Sequence, residues 1–142
     1  MKTDLRKILS ISGESGLFLY VQQAKNGAIV ESLTTKKRMC AGLSAKMSSM
    51  ADIAIYTDDG EIKLAELFLK MKEVLGENPA PAKKADQKEL VAFFEKALPA
   101  YDRDRFYVSH MRKVVEWYNV IKEFASLDFM TEEEMEEADK EE

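Results

Sequence analysis

The feature that most constrains this chain is a change in the spacing of its hydrophobic residues near position 64. Before that point, short apolar runs alternate with turn-forming residues, as is typical of β-strands. After it, apolar residues recur every three or four positions, beginning with Leu64, Leu67 and Phe68, as is typical of an amphipathic helix. The spacing therefore predicts a β-rich first part and a helical second part.

The first part is predicted to contain four or five short strands joined by tight turns. Asn26-Gly27 stands between two apolar runs and predicts a β-hairpin with a type I′ turn, because both residues tolerate a positive φ. Further strands are predicted at 38–41, 53–57 and 61–63. The apolar cluster of Leu5, Ile8, Leu9 and Ile11 stays open: its first part fits a helical turn that begins at Asp4, whereas 8–11 fits a strand equally well. Such strands suit a small antiparallel barrel of the SH3-like kind, with a curved, open sheet as the alternative.

The second part is predicted to form a unit of three helices. The first covers 64–75, the second opens at a capping residue, Asp86, and the third is capped by Ser109. The third helix carries an unusually wide apolar stripe, which predicts that it lies between its neighbours. The stretch 77–85, with two prolines and three alanines, is predicted to be a linker or mobile loop without a core of its own.

Charge is distributed unevenly along the chain. The formal net charge is −5, but residues 126–142 hold nine acids and one lysine, so they carry −8 and the remainder carries +3. This density of acids predicts a disordered tail. The expected organisation is an α+β protein with a β-rich, barrel-like domain at 1–63, a helical domain at 64–125 and an acidic tail at 126–142.

Composition narrows the classes of protein further. With 46% hydrophobic and 33% charged residues, the chain is too apolar to be disordered as a whole and too often interrupted by charge for a membrane span. The first six residues mix acids and bases where a signal peptide would need an apolar run. Cys40 is the only cysteine, so we expect a buried free thiol and a cytoplasmic location.

Several short runs resemble an uncharacterised two-part bacterial family. In the first part these runs are Ile11-Ser12-Gly13, Gly16-Leu17-Phe18, Asn26-Gly27, Val30-Glu31-Ser32-Leu33 and Ile53-Ala54-Ile55-Tyr56-Thr57. In the second part they are Leu98-Pro99, Tyr101-Asp102-Arg103, Arg105, Tyr107, Ser109 and Trp117-Tyr118-Asn119. The resemblance spans roughly 4–122 and leaves out the acidic tail. Because the family is known only as domains of unknown function, it implies the two-part layout and no activity, cofactor or site residue.

The chain holds no recognisable catalytic or metal-binding signature. His110 is the only histidine, and its place near a helix start predicts that its ring caps or packs; pairing it with Cys40 would need long-range folding. One cysteine and one histidine cannot supply the four ligands of a structural zinc site. Asp58-Asp59-Gly60-Glu61 lacks the alternating oxygen ligands of a calcium loop. We therefore expect a non-enzymatic protein without a metal or cofactor.

The first functional hypothesis is a non-catalytic, cytoplasmic interaction module that binds an unidentified protein. Asp102-Arg103-Asp104-Arg105 alternates in charge, which either local ion pairs or a partner contact would explain. Arginine and tyrosine in an exposed loop are favoured at interfaces. The predicted partner-binding residues are Tyr101, Arg103, Arg105 and Tyr107. The sequence makes no prediction of oligomeric state.

The alternative hypothesis is weak nucleic-acid binding by the small barrel, modulated by the acidic tail. The candidate contacts are Lys25, Lys36, Lys37, Arg38 and Lys46, with a ring from Phe18, Tyr20 or Tyr56 for base stacking. A solubilising turn would explain the same lysines, and the strand face shared by Phe18 and Tyr20 suits a core. The tail would either aid solubility or fold back onto the basic barrel and compete with an anionic ligand.

Overall fold

The computed structural model describes residues 3–14, 16–42, 46–82, 84–125, 127–130, 133–134 and 136–137. Along these residues the elements are β1 (Ile8–Ile11), β2 (Phe18–Ala24), β3 (Gly27–Ser32), β4 (Arg38–Gly42), β5 (Met47–Ser49), β6 (Ala54–Thr57), β7 (Gly60–Lys63), α1 (Leu64–Leu75), α2 (Gln87–Ala97) and α3 (Val108–Phe124). Single 3₁₀ turns, Leu5–Lys7 and Met50–Asp52, precede β1 and β6. The α+β prediction is confirmed.

The first five strands form one antiparallel sheet in the order β4-β3-β2-β1-β5. β4 pairs with β3 and β5 pairs with β1, and no pairing within the described residues joins β4 to β5. The sheet is therefore open, so the SH3-like barrel is wrong and the open sheet is right. β5 is only three residues long, and the 3₁₀ turn that follows carries the chain away toward β6. β6 and β7 pair with each other in a separate two-stranded sheet.

The β2–β3 hairpin is present as predicted, but its turn lies one residue earlier than expected. Ala24 pairs with Gly27, so the two turn residues are Lys25 and Asn26. Neither has the positive φ that a type I′ turn requires. Gly27 itself has a φ of +153°, and a Cβ built there would overlap the carbonyl oxygen of Ala41 on β4. Glycine is needed here because β4 approaches so closely.

One hydrophobic core joins the sheet to the helices. Its members from the first fifty residues are Leu5, Ile8, Leu17, Leu33 and Met50. They share one cluster with buried residues of all three helices and with Ile55 and Ile62 of the β6–β7 hairpin. At its centre the rings of Phe68 and Tyr118 meet edge to face, with centroids 5.7 Å apart. The two parts of the chain therefore bury their apolar faces together.

The hydroxyl of Tyr118 is the polar exception in this core. It is fully buried and has no hydrogen-bond partner in the part of the chain that the structure describes. Burial disfavours the phenolate and raises the pKa of Tyr118 above its ordinary value. Near neutral pH the group is therefore neutral, and its burial carries a desolvation cost that a phenylalanine ring would not.

A smaller cluster occupies the other face of the sheet. It consists of Ile11, Phe18, Ala28, Val30 and Ala41, and no described helix residue belongs to it. Cross-strand pairing builds this face, because Leu9 lies opposite Phe18 and Val30 lies opposite Met39. Of the two rings predicted on this face, Phe18 is buried as expected, whereas Tyr20 is exposed.

Loop 77–85 is not a free linker where the structure describes it, so that prediction is wrong. Ala80 is buried, and its N–H donates to Oδ1 of Asn119 at 2.8 Å. Nδ2 of the same asparagine donates to the Ala80 carbonyl at 3.2 Å. Nη1 of Arg112 donates to the Ala85 carbonyl at 2.9 Å. Two side chains of α3 thus hold the loop backbone against the helix.

Residues 3–4 and 127–130 meet beside the core. Asp4 caps the first 3₁₀ turn by accepting from the N–H of Arg6 at 2.9 Å, and hydrogen bonding from the Arg6 side chain lowers the pKa of Asp4. Thr3 bridges in parallel with Phe129, whose ring lies 5.9 Å from that of Phe68. Residues 127–130 therefore return to the fold. Most of the predicted acidic tail lies outside the described residues.

Three local predictions are wrong. Cys40 is exposed rather than buried, because it lies on β4 at the edge of the sheet. Ser109 does not cap α3, which begins at Val108 with Tyr107, two residues before Ser109, in the capping position. Asp86 does occupy the capping position of α2, but its side chain makes no capping hydrogen bond.

Gly27→Ala is expected to lower the free energy of unfolding by at least about 2 kcal/mol, because the added methyl group would overlap β4. Gly42 lies opposite Gly27 in the same ladder, yet has open space at its Cβ position. Gly42→Ala is therefore the matched control and should cost less than about 0.5 kcal/mol. Urea unfolding measures both, and equal losses would contradict the close approach of β4.

Candidate protein-binding groove

A groove lies between β6 and the N-terminal half of α3, with a cavity volume of about 260 Å³. One wall is the strand segment 53–56. The other consists of side chains from the loop before α3 and from one face of that helix, namely Arg105, Phe106, His110, Lys113, Val114 and Trp117. We call this feature the β6–α3 groove.

The backbone of β6 presents unused hydrogen-bonding groups to the groove. Thr57 pairs with Gly60 beside the turn, and hydrogen-bonding groups in an antiparallel ladder alternate in direction, so Ala54 and Tyr56 face away from β7. The Tyr56 carbonyl accepts from the N–H of Asp102 at 3.0 Å. Within the described part of the chain, no hydrogen bond uses the N–H or C=O of Ala54 or the N–H of Tyr56. Two donors and one acceptor thus remain on this edge.

The groove combines an apolar floor with a cationic rim. Phe106 and Val114 are buried, and Trp117 is half-buried. Arg105 and Lys113 supply two positive charges, and none of the ten described lining residues is acidic. This lining favours a ligand that carries both an apolar group and a negative charge.

Arg105 remains available to a ligand. Its side chain is 65% exposed, and its guanidinium lies 5.2 Å from the ring centroid of Tyr56. Its Nε is 3.7 Å from a carboxylate oxygen of Asp102, which is a long and exposed ion pair. Such pairs contribute little, so a bound carboxylate could replace Asp102 at low cost.

His110 caps α3, which confirms one of the two structural roles expected for it. Its Nδ1 accepts from the N–H of Tyr107 at 3.2 Å, so the proton of the neutral ring is on Nε2. The ring is stacked on Phe106 at 6.4 Å and lies 5.1 Å from the ring of Tyr107. His110 therefore links the exposed Tyr107 to the rim of the groove.

The four predicted partner-binding residues divide into two pairs. Tyr101 is only 4% exposed, and its ring contacts Phe106 at 5.8 Å. Arg103 covers that ring at 4.1 Å, and its Nη1 donates to the carbonyls of Pro99 and Tyr101. These two residues hold the loop together. The other pair is exposed: Arg105 lines the β6–α3 groove, and Tyr107 lies beside it.

Sequence reasoning missed Lys113, Val114 and Trp117 as groove residues. Together with His110 they occupy positions i, i+3, i+4 and i+7 of α3, so they share one helical face. This spacing is visible in the sequence. From the spacing alone, however, these residues cannot be distinguished from the apolar stripe that packs in the core. They line a groove only because β6 leaves this face of α3 uncovered.

The candidate nucleic-acid residues do not come together in one patch. Lys25 is in the β2–β3 turn, whereas Lys36 and Lys37 lie beyond the opposite end of β3. Six strand residues separate these ends by about 20 Å. Lys46 precedes β5, at the edge of the sheet opposite β4.

Two of the candidate nucleic-acid residues, Arg38 and Lys36, already interact with other side chains. Nε of Arg38 is 3.2 Å from a carboxylate oxygen of Glu31. Nζ of Lys36 lies 5.6 Å from the ring centroid of Phe124. Of the predicted stacking rings, Phe18 is buried, and the most exposed, Tyr56, belongs to the separate β6–β7 sheet.

Two other surface depressions are lined by both acidic and basic residues, so their charge does not favour one kind of ligand. One lies on the exposed face of α2 and includes both Lys88 and Glu95. The other lies where the sheet meets the end of α3, and it mixes acids with lysines. Within the described residues, no group of three or more His, Cys, Asp or Glu side chains is placed to hold a metal ion. No helix in that part of the chain has the length and apolar character needed to cross a membrane.

Arg103→Ala is expected to lower the free energy of unfolding by about 1–2 kcal/mol, because two carbonyls lose their donor and Tyr101 loses its cover. Arg105→Ala removes the same kind of side chain two positions away, where only a long ion pair and a ring contact are lost. It should cost less than about 0.5 kcal/mol. Urea unfolding compares the two variants, and a larger loss for Arg105→Ala would contradict this division of roles.

Comparison with known proteins agrees with the two-part layout. Two family models match, a domain of unknown function (DUF5606) at residues 5–50 and a domain of unknown function (DUF6852) at residues 53–121. No curated protein matches the chain. The chain is similar to a Bacteroides vulgatus protein with a solution NMR structure from the Northeast Structural Genomics Consortium, at 40% identity and a TM-score of 0.69 over 86% of this chain and 87% of that chain.

The β6–α3 groove lies wholly within the second matched region. The chain therefore belongs to the uncharacterised two-part family in which a DUF5606 domain precedes a DUF6852 domain.

Proposed function

We propose that this protein is a non-catalytic interaction module that binds a protein partner in the β6–α3 groove. The observation that carries the proposal is the lining of the groove. It joins an apolar floor to two exposed cations and an open strand edge, without a carboxylate among its described residues. A protein segment can satisfy all three features at once.

The size of the groove favours side chains of a partner over a whole cofactor. Its volume of about 260 Å³ is below the roughly 300–1,000 Å³ typical of small-molecule sites. Trp117 and Arg105 are residue types that often dominate binding energy at interfaces. A partner that inserts one or two side chains would use both.

The chemistry of the lining supports binding rather than catalysis. No serine, threonine or cysteine is among the described lining residues, so His110 has no hydroxyl or thiol nucleophile among them. Its Nδ1 is already engaged in capping α3. We also propose a cytoplasmic location, because a single exposed thiol such as Cys40 stays free most readily in a reducing compartment.

Photo-crosslinking in the cells that produce the protein tests this proposal. Tyr107, which is 57% exposed beside the groove, is replaced by p-benzoylphenylalanine in the full chain. The same replacement at Val74, an exposed residue of α1, is the control. We expect a covalent adduct with a protein at Tyr107 and none at Val74.

Changing Arg105 and Lys113 together to glutamate should reduce the adduct at Tyr107 at least tenfold, because the reversed charges repel an acidic partner. Purified variant and parent are first compared by urea unfolding, so that loss of folding is recognised. The absence of any protein adduct, or an adduct of unchanged yield in the folded double variant, would refute the proposal. An adduct with nucleic acid in place of protein would refute it as well.

A further inference from the structure

We infer that the partner enters the β6–α3 groove as an extended acidic segment, which adds to the free edge of β6 as a further strand. This inference rests on the proposed function, since it specifies the conformation and charge of the partner for the same groove. Three observations support it: the unused backbone groups of β6, the neighbouring segment that already pairs with this edge, and the charges on the rim.

The chain itself shows that this edge of β6 accepts a strand. Thr57 forms an antiparallel bridge with Tyr101. On either side of the bridge, the N–H of Asp58 donates to the Ala100 carbonyl at 2.8 Å, and the N–H of Asp102 donates to the Tyr56 carbonyl at 3.0 Å. Residues 100–102 therefore occupy the position of a third strand at one end of the β6–β7 hairpin.

The rest of the same edge is left open because the chain turns away. The carbonyl of Asp102 accepts from the N–H groups of Arg105 and Phe106 at 3.2 and 2.9 Å, which closes a turn directly after the bridge. Beyond this turn the N–H groups of Ala54 and Tyr56 and the carbonyl of Ala54 face the groove. An incoming strand would continue the line of residues 100–102 and pair with these three groups.

The side chains around the open edge of β6 favour an acidic segment. An extended segment between β6 and α3 would pass Arg105 at one end and Lys113 on the helix, both of which line the groove. Alternate side chains of such a segment point to opposite faces. A segment that alternates acidic and apolar residues would place its carboxylates near these cations and its apolar groups against Trp117 and Val114.

Other occupants fit less well. Antiparallel pairing of β6 with β6 of a second copy would bring two sets of Arg105 and Lys113 together, and like charges repel. A helix has satisfied its own backbone groups and would leave those of Ala54 and Tyr56 unpaired. A single-stranded nucleic acid would meet the cations, but its phosphates offer no donor for the Ala54 carbonyl. Each occupant is distinguished by the following experiment.

The probe is a fluorescein-labelled hexapeptide, Glu-Val-Glu-Val-Glu-Val, and its binding to the full chain is measured by fluorescence anisotropy. Two isomers carry N-methyl groups, one on the glutamate amides and the other on the valine amides. Successive amides of a strand point to opposite edges, so only one isomer blocks the edge that meets β6. We expect that isomer to bind at least tenfold more weakly than the parent peptide and the other isomer to bind within threefold of it.

Two further controls test the charge and the place of binding. A peptide with lysine in place of glutamate should bind at least tenfold more weakly. The protein variant Arg105→Glu/Lys113→Glu should lose at least tenfold in affinity, whereas Lys36→Glu/Lys37→Glu, with the same change in net charge, should stay within twofold. In the complex, the amide hydrogens of Ala54 and Tyr56 should exchange with solvent at least tenfold more slowly, as measured by NMR.

The outcomes separate this inference from the proposed function. If both N-methylated isomers bind as well as the parent peptide, strand addition is wrong although the groove still binds. If Tyr107 crosslinks a protein but the acidic peptide does not bind, the proposed function stands and the extended acidic segment is wrong. Tighter binding of a labelled hexathymidylate, or a concentration-dependent dimer of the unliganded chain whose interface protects Ala54 and Tyr56, would also overturn the inference.

Discussion

The packing of α3 in a core that draws on both parts of the chain is the interaction on which the rest of the structure depends. Tyr118 and Ile121 share one buried cluster with Leu5, Ile8 and other residues of the first fifty. The sheet keeps only a small separate cluster, in which two of the five buried residues are alanines. Because the free energy of burial scales with apolar area, so small a cluster contributes much less than the shared core. The two matched regions therefore share one hydrophobic core.

This shared core also explains why the β6–α3 groove is already formed in the chain alone. Ile55 anchors β6 in the core, and Val114 anchors the facing side of α3. The loop between them is fixed by Phe106, whose ring meets that of Phe94 edge to face at 5.1 Å. Both walls of the groove are thus held by buried contacts. A site prepared in this way loses little conformational entropy on binding, so more of the contact energy appears as affinity.

The sequence predicted those features that depend on local spacing and missed those that depend on distant pairing. The bounds of the first helix were predicted within one residue, because its apolar residues recur at a regular spacing. The prediction of a closed barrel was wrong, because closure would require β4 and β5 to pair. Loop 77–85 has no apolar pattern of its own, and the residues that hold it, Arg112 and Asn119, lie far along the chain. Loop composition predicted exposed side chains for both Arg105 and Tyr101, which is right for Arg105 and wrong for Tyr101, since a tyrosine is equally suited to a core. Trp117 could not be assigned to the groove without knowing where β6 lies.

The central claim is that sheet and helices unfold as one unit, and the chain offers one probe for each part. Trp117 is the only tryptophan and reports on α3, whereas a fluorophore on the exposed Cys40 reports on β4 without entering the core. Urea unfolding of the full chain is followed with both probes. A shared core requires the two transitions to coincide, with midpoints within about 0.2 M and equal slopes. A Cys40 transition that is complete before the Trp117 signal begins to change would contradict it.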